Sequence, residues 1–163
     1  PNTGEAAPRP GVPSDHSPSP YPNEIAARAA NNNALPPDLS LMTKARHDGP
    51  AYVYSLLTGF QNPPANLPAD KRPGQGLHYN PYFANLNMAM APPLSEGQVT
   101  YADGTKATVD QMAQDVAAFL VWTAEPKLEN RHRTGIAVVI FLIIATGLGY
   151  MSYQNIWRDK RAH

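Results

Sequence analysis

The stretch Thr134–Trp157 near the C-terminus contains no charged residue, and Ile136–Ile144 within it consists of aliphatic side chains and one phenylalanine. Basic residues flank it on both sides, at Arg131, Arg133 and Arg158. A helix of about 20 apolar residues crosses the hydrocarbon core of a bilayer. The sequence therefore predicts one transmembrane helix that anchors a water-exposed domain, and the chemistry should lie in that domain.

The charge balance and the residue types narrow the class of protein. The 163 residues include 13 basic and 13 acidic side chains, so nothing favours binding to nucleic acid. There is no cysteine, which excludes disulfides and thiolate metal sites. The 18 prolines imply much irregular backbone. The chain starts at Pro1 without an initiator methionine or a signal-like apolar segment, which favours a mature, trimmed or split product.

Four regions follow from composition and pattern. Residues 1–22 are rich in proline and poor in apolar bulk, so they are predicted to be coil. Residues 23–130 should form the water-exposed domain. The membrane helix is expected over 131–157, and 158–163 should be a short basic tail.

Two short helices are predicted early in the domain. Asn23 is suited to cap Glu24–Ala30, and the three asparagines at 31–33 should end that helix. Asp38 is suited to cap a second helix that runs to about Arg46.

The next predicted elements are a third helix, a loop and a hairpin. Pro50 suits the first position of a helix that Gly59 should end. Residues 60–76 are predicted to be loop. Val99–Tyr101, followed by the turn residues at 103–104, predicts a small hairpin.

A longer helix closes the domain. Thr108 with Gln111 three residues on forms a capping-box pattern, and Pro126 marks the end of the helix. Its predicted buried face comprises Val109, Met112, Val116, Phe119 and Leu120. The domain is thus expected to be mostly α with few large apolar residues. A core this small needs further support, which a buried cofactor or a partner segment would supply.

Three segments resemble one known family. They are Asn31–Phe60 (NNNALPPDLSLMTKARHDGPAYVYSLLTGF), Gly76–Pro93 (GLHYNPYFANLNMAMAPP) and Gln114–Pro126 (QDVAAFLVWTAEP). In this order they resemble cytochrome c1, the haem subunit of the cytochrome bc1 complex, from about Tyr21 to the C-terminus. The resemblance implies a mostly α, c-type cytochrome-like haem domain with long irregular loops and one C-terminal membrane helix. The C-x-x-C-H attachment motif, which would bring the axial histidine, is absent.

Met90 is the leading site residue. In the resembling family, the methionine directly before Ala-Pro-Pro is the sixth ligand of the haem iron, and here that residue is Met90. A thioether is a soft, uncharged donor that favours ferrous iron, and His/Met ligation is the c-type cytochrome pattern. The simpler alternative is a methionine that fills the core.

A copper(I) site is an alternative from a different chemical class. Met88 and Met90 share a face if the chain is extended there, and soft thioethers select copper(I). His78 and His47 are candidate further ligands. Metal-binding motifs of this kind usually repeat Met or His more often, so this hypothesis ranks below haem.

Arg46 is the candidate partner of a haem propionate. The resemblance assigns it that hydrogen bond and makes Tyr52 a second polar contact. The planar guanidinium suits the role because it pairs with carboxylates and stays charged. The alternative is a solvated basic turn, and His47 beside it is expected to be a surface residue, or one that supports the site from outside, rather than an iron ligand.

The resemblance also places five residues in the wall of the haem crevice, each of which could equally be an ordinary turn or core residue: Asn31, Ala34, Pro37, Leu57 and Phe83. The sequence offers no catalytic triad, phosphate-binding glycine loop or metal-spaced carboxylate pair. No independent catalytic activity is therefore expected.

The function implied by the resemblance is electron transfer within a quinol–cytochrome c oxidoreductase. Electrons would pass from the Rieske iron–sulfur protein through haem c to a soluble or membrane-anchored c-type cytochrome. The chain would sit in membrane lipid beside cytochrome b in a dimeric complex. The haem domain would face the periplasm or intermembrane space, with the C-terminus inside, and a bacterial origin is favoured.

Another possibility is a cofactor-free, membrane-anchored subunit that serves in assembly or interaction. The predicted membrane helix contains Ala145-x-x-x-Gly149, a spacing of small residues that allows another membrane helix to approach closely.

Overall fold

The structure, a computed structural model, describes residues 9–12 and 15–158. The predicted coil at 1–22 and basic tail at 158–163 therefore lie partly outside the described residues. The described elements, in chain order, are α1 (Glu24–Ala30), α2 (Met42–Ala45), α3 (Gly49–Thr58), a 3-10 turn (Ala69–Lys71), β1 (His78–Tyr79), β2 (Asn87–Met88), α4 (Val109–Ala124) and α5 (Leu128–Arg158). The fold is mostly α, as predicted.

Helix α1 begins and ends where the sequence predicts. The Asn23 side chain accepts a hydrogen bond from the backbone N–H of Ala26 at 2.9 Å, which satisfies one of the free donors of the first turn. Asn32 and Asn33 then adopt left-handed backbone conformations, with φ of 49° and 64°. Asparagine tolerates this region better than most residues, so the chain turns away from the helix.

Helix α2 is shorter than predicted. The carboxylate of Asp38 accepts from the backbone N–H of Ser40 at 2.8 Å and forms a local turn. The helix begins only at Met42, so the prediction that Asp38 caps it is wrong. Helix α3 agrees with its prediction, because Pro50 lies in its first turn and Gly59 follows its last residue.

Helix α4 has the predicted Thr108 cap without the reciprocal bond of a capping box, because the Gln111 side chain donates to Asp115 at 3.0 Å. Its buried face is also shifted. The Thr108 hydroxyl accepts from the N–H of Gln111 at 3.1 Å. Phe119 is 57% exposed and stacks on Trp122, with ring centroids 5.9 Å apart, so its assignment to the core is wrong. Two alanines lie at the centre of the buried side, and their small side chains let α4 approach the neighbouring helices closely. The buried residues of α4 are Met112, Ala113, Ala117 and Leu120.

Helices α3 and α4 form the core of the domain. Val53 of α3 packs against Ala117 and Leu120 of α4, and these residues are surrounded by partly buried ones: Met42, Tyr52, Tyr54, Leu57 and Val116. The Tyr54 hydroxyl donates to Asp110 at the start of α4, and this bond raises the pKa of Tyr54. The core is small, as the shortage of large apolar residues predicts.

The strand pair lies elsewhere than predicted. Strands β1 and β2 are antiparallel, with His78 opposite Met88 and Tyr79 opposite Asn87. Around residues 99–104 the chain makes only a turn, in which the N–H of Gly104 donates to the carbonyl of Tyr101 at 3.2 Å. The predicted hairpin there is wrong, because the residues Val99–Tyr101 find no second strand to pair with.

Helix α5 contains the predicted membrane span. Its 31 residues extend about 46 Å, which exceeds the thickness of a bilayer core. The helix has an apolar window of mean hydropathy 2.1, no part of which is buried against the domain. Among the described residues it is the one helix long and apolar enough to cross a membrane.

Candidate functional site

The first two resembling segments touch at two glycines. A Cβ added to Gly76 would lie 2.3 Å from Nδ2 of Asn32, so the turn after α1 presses against the start of the second segment. A Cβ on Gly59 would lie 2.5 Å from the ring of Tyr82. Both approaches need a residue without a side chain. The turn after α1, the end of α3 and the segment that carries Met90 therefore form one packed unit.

The third segment joins this unit through the core. In addition to the contacts between α3 and α4, the Thr43 hydroxyl of α2 donates to the carbonyl of Leu120 at 3.4 Å. All three segments that carry the resemblance are thus brought together around α3, although each is separated from the next by long loops.

Asn31, Ala34 and Pro37 follow α1 in one connected turn and its extension. The Asn31 side chain donates to the carbonyl of Ala27 at 2.7 Å and to the hydroxyl of Tyr21 at 3.2 Å. Asn31 therefore ends α1 and ties it to the preceding chain. Ala34 is half-buried, and its N–H donates to the Asn31 carbonyl at 2.9 Å; Pro37 is exposed.

Tyr52 and Leu57 lie on α3 and both pack against the core. Tyr52 is half-buried and also lines an open depression of 340 Å³ together with Tyr82. Tyr82 belongs to the segment that carries Met90, so this depression lies between α3 and that segment.

Arg46 and His47 are exposed residues directly after α2. One guanidinium nitrogen of Arg46 donates to the Ala45 carbonyl at 3.1 Å. A guanidinium has five N–H donors, so others can pair with a carboxylate. The His47 side chain is 96% exposed, and its Nδ1 lies 3.1 Å from the Asp48 carboxylate. His47 is therefore a surface residue, as expected.

Met90 lies two residues beyond β2 and is 41% exposed. Met88 is half-buried in β2 directly opposite His78, so two of the proposed copper donors are neighbours across the strand pair. Phe83 is half-buried in the turn between the strands, where its N–H donates to the carbonyl of Asn80 at 3.2 Å.

The residues present fit a haem. Met90 offers an accessible thioether for the iron, and Arg46 offers an accessible guanidinium for a propionate. The first two resembling segments also expose apolar side chains of the kind that a large apolar ring would cover: Leu35, Leu39, Leu41 and Leu77. Because the sequence has no cysteine, these residues cannot supply the covalent attachment.

Two further residues matter that sequence reasoning missed. Asn80 is fully buried, and its only sequence signal is the Asn-Pro pair typical of a turn. Glu125 receives hydrogen bonds from Arg131 and an ion pair from Lys44, which together lower the pKa of its carboxyl to about 2. No local pattern connects Glu125 to Lys44.

Comparison with known proteins places the chain. The profile of the Cytochrome C1 family matches residues 1–160. The chain belongs to the cytochrome c1 family. It is 45% identical to cytochrome c1 of Rhodospirillum rubrum over 172 residues, which cover 98% of this chain and 63% of that protein.

Two other members of the family have similar identity to this chain. The chain is 48% identical over 160 residues to the mitochondrial haem protein cytochrome c1 of Neurospora crassa, covering 97% of this chain and 47% of that protein. It is 46% identical over 177 residues to the cytochrome b/c1 protein of Bradyrhizobium diazoefficiens, covering 98% of this chain and 25% of that protein. The chain thus spans less than two thirds of the length of each of these cytochrome c1 relatives.

Proposed function

We propose that this chain forms the part of a cytochrome c1 that carries the methionine ligand and the membrane anchor, and that its function is electron transfer. The observation that carries the proposal is the family match over 1–160, which includes the segments that pack around α3. Relatives in this family are named as haem proteins, and the accessible Met90 and Arg46 suit that cofactor.

The residues of this chain would hold the haem and set its surroundings. When bound, haem c supplies a one-electron redox centre. Met90 would hold the iron through its soft thioether, which would favour the reduced metal and raise the reduction potential. Arg46 would pair with a propionate, and Tyr52 would make a second polar contact. The remaining wall positions would exclude water: Asn31, Ala34, Pro37, Leu57 and Phe83.

The proposed place of the chain is a membrane-bound quinol–cytochrome c reductase. The haem domain, residues 23–130, would receive electrons from a Rieske iron–sulfur protein and pass them to a c-type cytochrome. Helix α5 would cross the inner membrane beside cytochrome b in a dimeric complex. The haem domain would face the periplasm or intermembrane space, and a bacterial origin is favoured.

One observation favours a second candidate function. His78 and Met88 are direct cross-strand partners, so their side chains lie on one face of the strand pair, and Met90 follows two residues later. An imidazole and a thioether together suit a soft metal. Copper(I) is the metal that this donor set would select. The family match favours haem over this alternative, because it accounts for all three segments and not only for the strand pair.

Metal analysis and visible spectroscopy of the membrane complex that contains this chain test the proposal. The complex would be purified through a tag on this chain, with a tagged copy of α5 alone as the control for co-purifying haem proteins. Iron with a c-type absorption spectrum, present only with the full chain, is the expected result. Copper without haem would support the second candidate, and neither metal would support a cofactor-free anchored subunit.

A further inference from the structure

Asn80 is the only fully buried polar side chain among residues 9–12 and 15–158. It lies directly after β1, in the turn that leads to β2 and then to Met90. A buried amide is costly unless its donors and acceptor find partners, so the bonds of Asn80 show what this residue holds in place.

The side chain of Asn80 joins two parts of the fold. Its Nδ2 donates to the carbonyl of Leu56 in the last turn of α3, at 2.7 Å. Its Oδ1 accepts from the backbone N–H of Tyr82 at 3.1 Å. The carbonyl of Leu56 lies at the C-terminal end of a helix, where such groups lack a partner within the helix. Asn80 therefore ties the turn between the strands to the end of α3.

The backbone of Asn80 closes the same turn. Its N–H donates to the carbonyl of Leu86 at 2.7 Å, and its carbonyl accepts from Phe83 at 3.2 Å. Leu86 in turn has a left-handed backbone, with φ of 62°, which a residue with a branched side chain disfavours. Such a conformation persists only where surrounding bonds impose it. Two backbone bonds hold Leu86 here: its carbonyl accepts from Asn80, and its N–H donates to the carbonyl of Phe83 at 2.8 Å.

The turn sets the pairing of the two strands. The Asn80–Leu86 bond continues the register in which Tyr79 faces Asn87 and His78 faces Met88. Side chains in a strand alternate between faces, so a slip of one residue would move each side chain after the turn to the opposite face. Met90 lies two residues beyond the end of β2, so the chain that leads to it would then leave a strand whose two faces are exchanged.

We propose that Asn80 is the positioning residue of the Met90 ligand, because it locks the turn onto α3 and fixes the register of the chain that leads to Met90. This inference rests on the proposed role of Met90 as an iron ligand. It assigns to Asn80 no contact with the haem itself.

The test uses the haem-containing protein in its membrane complex. Asn80→Ala removes both side-chain bonds. If the alanine variant does not accumulate, Asn80→Ser replaces it, since the serine hydroxyl can still accept from the N–H of Tyr82. Asn87→Ala is the matched control. Asn87 lies in β2, and its side chain donates one hydrogen bond, to the carbonyl of Lys71 at 3.0 Å. Val53→Ala controls for loss of stability in the core.

Two measurements separate positioning from stability. Hydrogen exchange reports the turn directly, and the amides of residues 80 and 82–86 should exchange about tenfold faster or more in the Asn80 variants than in either control. The reduction potential and the thioether-to-iron charge-transfer absorption report the ligand. Both should fall in the Asn80 variants and stay near wild type in Asn87→Ala and Val53→Ala.

The outcomes distinguish this inference from the function on which it rests. Unchanged exchange over 80–86, or faster exchange with the absorption and potential retained, would overturn the role of Asn80 alone. A Met90→Leu variant that keeps the same absorption and potential would overturn the ligand assignment and this inference together. Loss of both signals in Met90→Leu and in the Asn80 variants, with intact controls, supports both.

Discussion

Arg131 of the membrane helix binds both carboxylate oxygens of Glu125, with Nη1–Oε1 and Nη2–Oε2 distances of 2.6 and 2.8 Å. Glu125 is the residue directly after α4, and its Oε1 also lies 2.7 Å from Nζ of Lys44 on α2. A bidentate Arg–carboxylate pair fixes the direction of both groups. The start of α5 is therefore joined to α4 and α2 through the carboxylate of Glu125.

Replacing Glu125 with glutamine should loosen this joint. Glutamine keeps the size of the side chain but removes the charge that both cations share, so α5 should sample a wider range of angles. The chain contains no native cysteine, so spin labels can be placed at single introduced cysteines replacing Ala118 and Arg133. We expect a broader distance distribution between the labels in E125Q. The control is E129Q, which removes a carboxylate from the first turn of α5; equal broadening in both variants would contradict the specific role of Glu125.

The same group predicts a defined acid sensitivity. Arg131, and then Lys44, lower the pKa of Glu125 from 4.5 to about 2 by bonding its charged form. A carboxyl whose pKa is lowered by folding stabilises the folded state fully above its unfolded pKa, and this contribution disappears as the pH falls towards the folded value.

The difference in unfolding free energy between wild type and E125Q should therefore be constant from pH 7 to about 5 and should shrink as the pH falls from 4.5 towards 2. Denaturant titrations of both proteins at several pH values measure it. Other carboxyls with lowered pKa values are common to both proteins and cancel: Asp15, Asp38 and Asp103. A difference that stays constant down to pH 2 would show that the Glu125 pairs do not contribute to stability.

The cap of α4 should have a measurable effect of ordinary size. Thr108→Ala removes the acceptor for the N–H of Gln111 and should destabilise the protein by about 1 kcal/mol. Thr58→Ala is the control, since that hydroxyl only donates within the last turn of α3, to the carbonyl of Tyr54 at 2.9 Å. Its loss should lower the free energy of unfolding by no more than about 0.5 kcal/mol. Chemical denaturation followed by circular dichroism gives both values, and equal losses would contradict the assignment of Thr108 as a cap.

Local signals explain which parts of the fold were predictable. The caps at Asn23 and Thr108 bond to groups three residues away, so the relevant partners lie within a short window of sequence. Asp38 shows the limit of such signals. Its carboxylate accepts from the N–H two residues ahead and forms a turn, instead of capping a helix. The sequence alone does not decide between the turn and the cap.

Long-range partners explain what was missed. Asn80 is important because the carbonyl of Leu56, 24 residues earlier, lies beside it. Glu125 is important because Lys44 on another helix reaches it. Neither relationship has a period or a motif, so each becomes visible only when α2, α3 and α4 are packed. The candidate haem residues, in contrast, were identified only through the resemblance to the family, because no local pattern marks them.

Separating the anchor from the domain should leave the site intact. A haem-loaded protein of this family, cut after the position of Arg133, keeps the Glu125–Arg131 pair and loses the apolar part of α5. We expect it to remain in the supernatant after ultracentrifugation and to retain its visible spectrum. A trimmed protein that still sediments with lipid vesicles, in the absence of its partners, would show that a second surface binds the membrane.

Replacing Met90 with leucine tests the ligand in the haem-containing protein. The volume is nearly conserved and Met90 is 41% exposed, so the loss of stability should be less than about 1.5 kcal/mol. If Met90 is the iron ligand, the reduction potential should fall strongly, because ferrous iron would lose its soft donor. Under the proposed function, transfer of an electron into the haem should then become unfavourable while the haem stays attached.

Met88→Leu is the matched comparison, because Met88 lies two residues earlier and is half-buried opposite His78. If Met90 ligates the iron, this second variant should change the potential little, since leucine still fills the space against the strand pair. Redox titration of the two variants in parallel decides the assignment. A larger fall in potential for Met88→Leu would show that Met88 is the ligand. No fall in either variant would show that neither methionine binds the iron.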